Sequence, residues 1–364
     1  MNRLWKEIRR NPLFWLLVFV PVVLVLHRLR PDAHTLLFLL SILAIVPLAG
    51  LLSHATESVA AKAGDMVGGL LNATLGNLTE LVIALTALKA GQYMLVKASL
   101  AGAIVTNSLF MLGGSFLLGG LKYHTQEFNR ISARLQAGLL FLATVALLIP
   151  SAVQQADLAS MAPFTQKLSL GLSFLLIAAY GLGLLFSLKT HRELFGSEEH
   201  AEAREAPWSM GVALVTLAGV TVFVALVSEV FVESVQEAAL TLGMTQAFVG
   251  FIVVALVGGA AEMASAFSGA IKNRLDLSVG IALGSSSQIA LFVAPVLVIV
   301  SYFVGPAPMD LHFWPGAVVM VFIATMSAAL VTTSGRATWF VGVLVLAVYL
   351  VFAMTLYLLP PRAA

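Results

Sequence analysis

Two glutamates stand deep inside long apolar runs, where a charge is expensive. Glu80 closes Gly76-Asn77-Leu78-Thr79-Glu80 within GGLLNATLGNLTELVIALTAL. Glu262 closes Gly258-Gly259-Ala260-Ala261-Glu262 within FIVVALVGGAAEMASAFSGAI. An ionised carboxylate facing lipid costs several kcal/mol, so such a residue faces a cavity or a partner and reads as functional. For either one alone the competing reading is a protonated, hydrogen-bonded structural acid. Matched twins favour chemistry. Two neighbouring carboxylates suit a hard divalent cation, and calcium takes about 6–8 oxygen ligands, charged and neutral together. The neutral oxygens on offer come from Asn77, Thr79, Asn107, Ser285, Ser286, Ser287 and Gln288, with backbone carbonyls freed by nearby glycines. Without a metal, two bare carboxylates repel each other and lack solvation, so they take up protons. One pair can therefore hold one divalent cation or two protons, which is the core of an exchanger. Magnesium fits less well, because it dehydrates reluctantly and wants a rigid octahedron.

A second tier of acids falls nearer the helix ends. Glu57 and Asp65 lie at one end of an apolar run, and Glu229, Glu233 and Glu237 share the i, i+4, i+8 face of another. These acids would draw cations toward each mouth of a path and relay protons, with solvated helix ends as the competing reading. Asn107 and Gln288 have the alternative role of interhelical hydrogen-bond glue, and the glycines that of close helix approach. The segment 189–206 holds five glutamates and two histidines, but it lacks the spacing of a calcium loop and reads as a solvated linker. The Asn-x-Thr matches at Asn72 and Asn77 lie at membrane depth and are discounted. No phosphate-binding loop, nucleophile elbow or HExxH pattern is present.

The elements that hold these residues must be transmembrane helices. Of 364 residues, 60% are hydrophobic and only 10% charged, and the mean hydropathy is +0.98. A soluble fold cannot bury that much apolar surface, so the sequence predicts an all-α polytopic membrane protein. It excludes a nucleic-acid-binding arm, and zero cysteines exclude disulfides and thiolate metal sites. A spanning helix needs roughly 20 mostly apolar residues. On that rule eleven are expected, at about 12–27, 34–54, 66–88, 94–118, 133–153, 168–188, 208–232, 246–270, 276–303, 313–333 and 337–359. The first is expected to be a retained helix, since no small-residue cleavage site follows it.

The expected division is 1–32 as an N-terminal helix, 33–188 as a first five-helix repeat, 189–207 as an acidic linker of helical character, and 208–364 as a second repeat. The halves echo each other. An amide follows Glu80 by 27 residues (Asn107) and Glu262 by 26 (Gln288), and the flanks GAIVTNSLFMLGG and ALGSSSQIALFVAP match in kind. Five helices per copy is an odd number, so the second copy must be inverted, a transporter architecture with its site at mid-membrane. With the N-terminus inside, 14 Lys and Arg fall on the cytoplasmic side and 6 on the other. That bias predicts a cytoplasmic N-terminus and a C-terminus on the opposite side.

At these residues the chain resembles the calcium/proton exchangers of the CAX type, members of the calcium/cation antiporter superfamily. The resemblance covers nearly the whole chain. It is carried by HATESVAAKAGDMVGGLLNATLGNLTELVIAL, by SEVFVESVQEA, and by FIVVALVGGAAEMASAFSGAIKNRLDLSVGIALGSSSQIALFVAP. It implies one extra helix plus two inverted repeats, with Glu80 and Glu262 as the cation-binding glutamates and Asn107 and Gln288 as their nearby amides. It also implies Glu57 and Glu229 as acids of the access paths on long gating helices. Two positions depart from the family's second signature, which usually reads GNAAEH: Gly259 replaces the asparagine and Met263 the histidine. The carboxylate core survives, and the departures bear on selectivity, affinity and the pH of half-activity. The expected function is exchange of Ca2+ for H+ across a bacterial-type cytoplasmic membrane, by a protein that is not an enzyme, uses no cofactor and carries calcium as substrate. Mn2+/H+ or Na+/Ca2+ exchange is the first alternative. A passive channel and an intramembrane enzyme follow, the latter lacking a paired aspartate. Lipid is the expected partner, nucleic acid is not, and a homo-oligomer is compatible with these features.

Overall fold

In the computed structural model, the described residues are 9, 11–153, 162–194 and 208–359, without the side chains of 65, 66, 153 and 162. Apolar residues fill long uninterrupted stretches, and with no water to satisfy backbone groups in a bilayer such stretches must be helical. The chain accordingly runs as α1 (Pro12–Leu29), α2 (His34–Lys62), α3 (Asp65–Leu75), α4 (Leu78–Lys89), α5 (Tyr93–Tyr123), α6 (Arg130–Val153) and α7 (Pro163–Thr190). It continues as α8 (Met210–Thr241), α9 (Gln246–Gly258), α10 (Ala260–Ile271), α11 (Leu275–Val300), α12 (Pro315–Val331) and α13 (Trp339–Leu358). Among the described residues, eight helices are long and apolar enough to cross a membrane, or ten if α3+α4 and α9+α10 each count as one span. The remaining expected span, 313–333, corresponds to α12, which is apolar but has only 17 residues.

Two differences from the expected spans matter most. The run 66–88 is not one helix. It breaks at Gly76-Asn77 with a bend of 41° between α3 and α4, and the run 246–270 breaks at Gly259 with a bend of 60° between α9 and α10. Each break falls in the glycine-containing stretch just before a glutamate, where backbone freedom is greatest. The expected span 276–303 ends early, because residues 301–314 form a strap across one end of the molecule. There Tyr93 Oη donates to the Ala307 carbonyl at 2.6 Å and accepts from its N–H at 2.7 Å. Lys97 pairs with Asp310. The Ser169 and Ser151 hydroxyls accept from the N–H groups of Leu311 and Phe313, each at 3.0 Å. Every one of those strap contacts satisfies a backbone or charged group that a helix would otherwise have paired.

Lipid tails are as apolar as leucine, so association rests on close packing at small residues. A Cβ at Gly102 of α5 would lie 2.1 Å from the Phe251 carbonyl oxygen of α9, and one at Gly342 of α13 would lie 2.4 Å from the Leu117 nitrogen of α5. Two long helices, α2 and α8, with 29 and 32 residues, pack against each other more extensively than any other pair. The opposite end from the strap carries a short antiparallel pair, β1 (Thr125–Glu127) with β2 (Arg336–Thr338), closed by Arg336 and Glu127 at 2.7 Å. Of the acidic linker, 189–194 forms the end of a π-helical turn and a single 3-10 turn instead of a continued α-helix. Residues 195–207 lie outside the described residues.

Candidate functional site

The two breaks place their glutamates alike. Glu80 sits in the first turn of α4 and Glu262 in the first turn of α10, where the free N–H groups favour negative charge. Both side chains are half-buried. Glu80 reaches the break that precedes Glu262: a Cβ at Gly258 would lie 3.1 Å from Glu80 Cγ and 3.5 Å from its Oε1. Glu262 is in electrostatic range of Glu80 and of Glu57, with the Ser285 hydroxyl nearby.

The amides cross over. Asn107, from the first half, lies against the break of the second half, its Oδ1 3.6 Å from a Cβ built at Gly259. Gln288, from the second half, lies against the break of the first, its Oε1 3.3 Å from a Cβ built at Gly76. Asn107 lies within a π-helical turn, Thr106–Met111 in α5, and Gln288 immediately precedes another, Ile289–Val293 in α11. Such turns expose backbone carbonyls and recur at functional sites. Ser285 joins the halves by accepting from Asn107 Nδ2 at 2.9 Å and donating to Asn77 Oδ1 at 2.8 Å. That leaves Asn77 Nδ2, Glu262 Oε2 and Gln288 Nε2 buried without partners. Orphaned polar atoms beside two carboxylates mark a site suited to a polar or charged ligand.

The three consecutive serines divide. A helix turns by about 100° per residue, so only one can face the glutamates. Ser285 does. Ser286 is fully buried against α5, bonded to Ser108 Oγ at 3.0 Å and to the Ile104 carbonyl at 3.3 Å. Ser287 donates to the Gln136 carbonyl of α6 at 3.1 Å. Thr79 is buried beside Glu80. The side chain of Asp65 lies outside the described residues, and among those described no group of three or more His, Asp or Glu forms a ready-made metal cluster. The donor set is two carboxylates, three amides and a hydroxyl.

The outlying acids are exposed, as their helix-end positions imply. Glu57 on α2 has the Ser53 hydroxyl at 3.4 Å and no cationic partner among the described residues. Glu229, Glu233 and Glu237 share the exposed face of α8. Two of them have basic partners that spacing alone did not reveal: Lys89 Nζ lies 3.6 Å from Glu229, and His27 Nε2 lies 3.4 Å from Glu233. Those partners come from α4 and α1, so no local sequence signal announces them.

Broken helices that carry acids into an apolar helical body, with cross-placed amides, define an integral membrane protein of the transporter kind. The sequence profile of the family described as "Sodium/calcium exchanger protein" matches the chain twice, over residues 33–189 and 212–358. The chain belongs to that family. It is 40% identical to a Ca(2+)/H(+) antiporter of Aphanothece halophytica, over 97% of this chain and 98% of that one. It is also 40% identical to the Ca(2+)/H(+) antiporter ChaA of Bacillus subtilis (strain 168), covering 96% and 100%. The solved structure of native YfkE superposes with a TM-score of 0.82 at 38% identity, covering 95% of this chain and 100% of that one.

Proposed function

We propose that this protein exchanges Ca2+ for H+ across a bacterial-type cytoplasmic membrane, with Glu80 and Glu262 alternately coordinating the cation and carrying protons. The observation that carries the reading is the Glu80 side chain against Gly258, four residues before Glu262, with Asn77 Nδ2, Glu262 Oε2 and Gln288 Nε2 buried without partners. The naming of two full-length relatives as Ca(2+)/H(+) antiporters supports the choice of ions. Asn77, Thr79, Asn107, Ser285 and Gln288 would complete the oxygen shell, with Ser286 holding α11 to α5 behind it. A carrier needs its loaded forms to cross and its empty, doubly charged form to be blocked, and desolvating two bare carboxylates supplies that block.

Residues 33–188 and 208–364 would be inverted five-helix repeats around this site, with 1–32 outside the repeat, 189–207 as linker and the N-terminus cytoplasmic. The double family match and the crosswise amides support the repeat. Helices α2 and α8, packed against each other and carrying Glu57 and Glu229, would move to open one mouth while closing the other, with Asp65 and Glu233 lining the approaches. The test uses purified protein in liposomes loaded with a pH-sensitive dye, with calcium added outside, for wild type, Glu80→Gln and Glu262→Gln. Calcium-driven proton movement in the wild type, absent from both variants, is expected. A wild type that moves no protons under calcium, manganese or sodium gradients overturns the exchange reading, and the order of response to the three cations sets the selectivity.

A further inference from the structure

We propose that Lys89 is a tethered counter-cation for Glu229, which lowers the apparent affinity for calcium at the Glu229 mouth and leaves the Glu57 mouth electronegative. The inference rests on the exchange reading above and adds sidedness to it. The two mouths are lined by matching acids yet differ in what those acids touch. At one, the Lys89 ammonium lies 3.6 Å from Glu229 Oε1, and the neighbouring Glu233 has His27 at 3.4 Å. At the other, Glu57 has only a serine hydroxyl, and the field of its carboxylate reaches Glu262. The end of α10 does carry a lysine, Lys272, in the place that Lys89 holds at the end of α4. No ion pair joins Lys272 to Glu57 among the described residues.

Lys89 is also held in place. It ends α4, the half-helix that begins with Glu80, and three residues on Gln92 Nε2 donates at 2.8 Å to the Val232 carbonyl of α8. The end of α4 thus grips α8 on both sides of one turn, at Glu229 and at Val232, and keeps the ammonium over the mouth acid. The strap backs this end, since a Cβ at Gly305 would lie 2.9 Å from the Leu88 carbonyl and one at Gly91 would lie 3.0 Å from Pro306 Cγ. A positive charge beside an acid of that mouth lowers the local concentration of a divalent ion and competes for the carboxylate. For a carrier that loads at one face and releases at the other, such an arrangement promotes release.

The test compares wild type, Lys89→Met, Lys89→Arg, Glu229→Gln and the Lys89→Met/Glu229→Gln double variant in proteoliposomes. Orientation is sorted by impermeant labelling of a Ser197→Cys introduced into the otherwise cysteine-free chain. Half-saturating calcium is measured separately at each face with the dye assay. Lys89→Met is expected to lower it about fivefold at the Glu229 face, with no change at the Glu57 face. Lys89→Arg is expected to match wild type, and the double variant to match Glu229→Gln. An equal shift at both faces, no shift at the Glu229 face, or a shift that persists without Glu229 overturns the inference. A wild type without exchange sinks the underlying reading instead, so the two failures are distinct. A change confined to maximal rate, with both half-saturations intact, would assign Lys89 a purely structural grip and also overturn it.

Discussion

Gly258→Ala should separate stability from affinity. Gly258 is the last residue of α9 and its φ is not positive, so alanine fits its backbone. In a helix the change contributes roughly 0.5–1 kcal/mol of stability. The added Cβ, however, would lie 3.1 Å from Glu80 Cγ and 3.4 Å from Cδ. Carbon contacts are optimal at about 3.5–4.0 Å, so the Glu80 side chain must retreat by about 0.4 Å. Calcium–oxygen bonds occupy a window only about 0.3 Å wide, roughly 2.3–2.6 Å. A carboxylate pushed back that far loses a good bond or forces the partner glutamate to move. The expected result is half-saturating calcium raised about tenfold, equivalent to about 1.4 kcal/mol, with the thermal midpoint by tryptophan fluorescence unchanged or higher. Gly258→Ser should behave alike, because its hydroxyl adds an oxygen but keeps the Cβ. Unchanged affinity in Gly258→Ala, at either face, would refute the contact between this helix end and the Glu80 carboxylate as the thing that positions the ligand.

Other outcomes follow from the same geometry. Gly102→Ala puts a Cβ 2.1 Å from the Phe251 carbonyl, backbone against backbone, so α5 and α9 must part. A loss of roughly 1–3 kcal/mol is expected, read as a lower midpoint and poor monodispersity in detergent. Ser285→Ala leaves the Asn77 oxygen and the Asn107 amide N–H without their shared partner. Burying them unpaired costs about 1–3 kcal/mol, and calcium affinity should fall, whereas Ser286→Ala should lower the midpoint and spare affinity. Lys97→Met strands Asp310 in a pair whose side chains are 16% and 24% exposed. It should speed proteolysis within 301–314, and Lys97→Met/Asp310→Asn should restore most of the resistance. His312 in the strap is held below the ordinary imidazole value of 6.5 by burial first and by Lys97 second. A lowered value means that stability is present above pH 6.5 and lost as pH falls toward the folded value. Strap amide protection, corrected for the intrinsic exchange rate, should therefore fall below about pH 6.5, and His312→Gln should flatten that dependence.

Much of this was written in the residue types. An acid in an apolar run announces itself, and the spacing from Glu80 to Asn107 nearly repeats from Glu262 to Gln288. What the sequence concealed was geometry that arises between distant segments. Gly76 and Gly259 look like packing glycines, yet they mark breaks of 41° and 60°, because a helix interruption depends on what stabilises the freed groups. Three consecutive serines offer identical chemistry, and only the rotation of α11 decides that Ser285 faces the acids while Ser286 and Ser287 bind neighbouring helices. Lys89 and His27 are ordinary helix-end cations until α8 brings Glu229 and Glu233 beside them. The strap 301–314 read as the tail of one helix and the head of another, since its hydrogen bonds go to Tyr93, Ser151 and Ser169, all more than a hundred residues away.

The crosswise amides carry a consequence for how the site works. Each half supplies the glutamate of one break and the amide that lines the other, so neither half owns a complete site. Sliding one half against the other then changes both glutamate environments together: Asn107 moves relative to Gly259 as Gln288 moves relative to Gly76. A cation that needs oxygens from both halves stabilises one relative placement, and two protons, each held by one carboxylate, place no such demand. The two loads would thus be told apart by how many halves they bridge. Ser285, of the second half and bonded to two amides of the first, Asn77 at one break and Asn107 against the other, would be where that difference is transmitted, which is why its loss should weaken calcium binding more than proton binding.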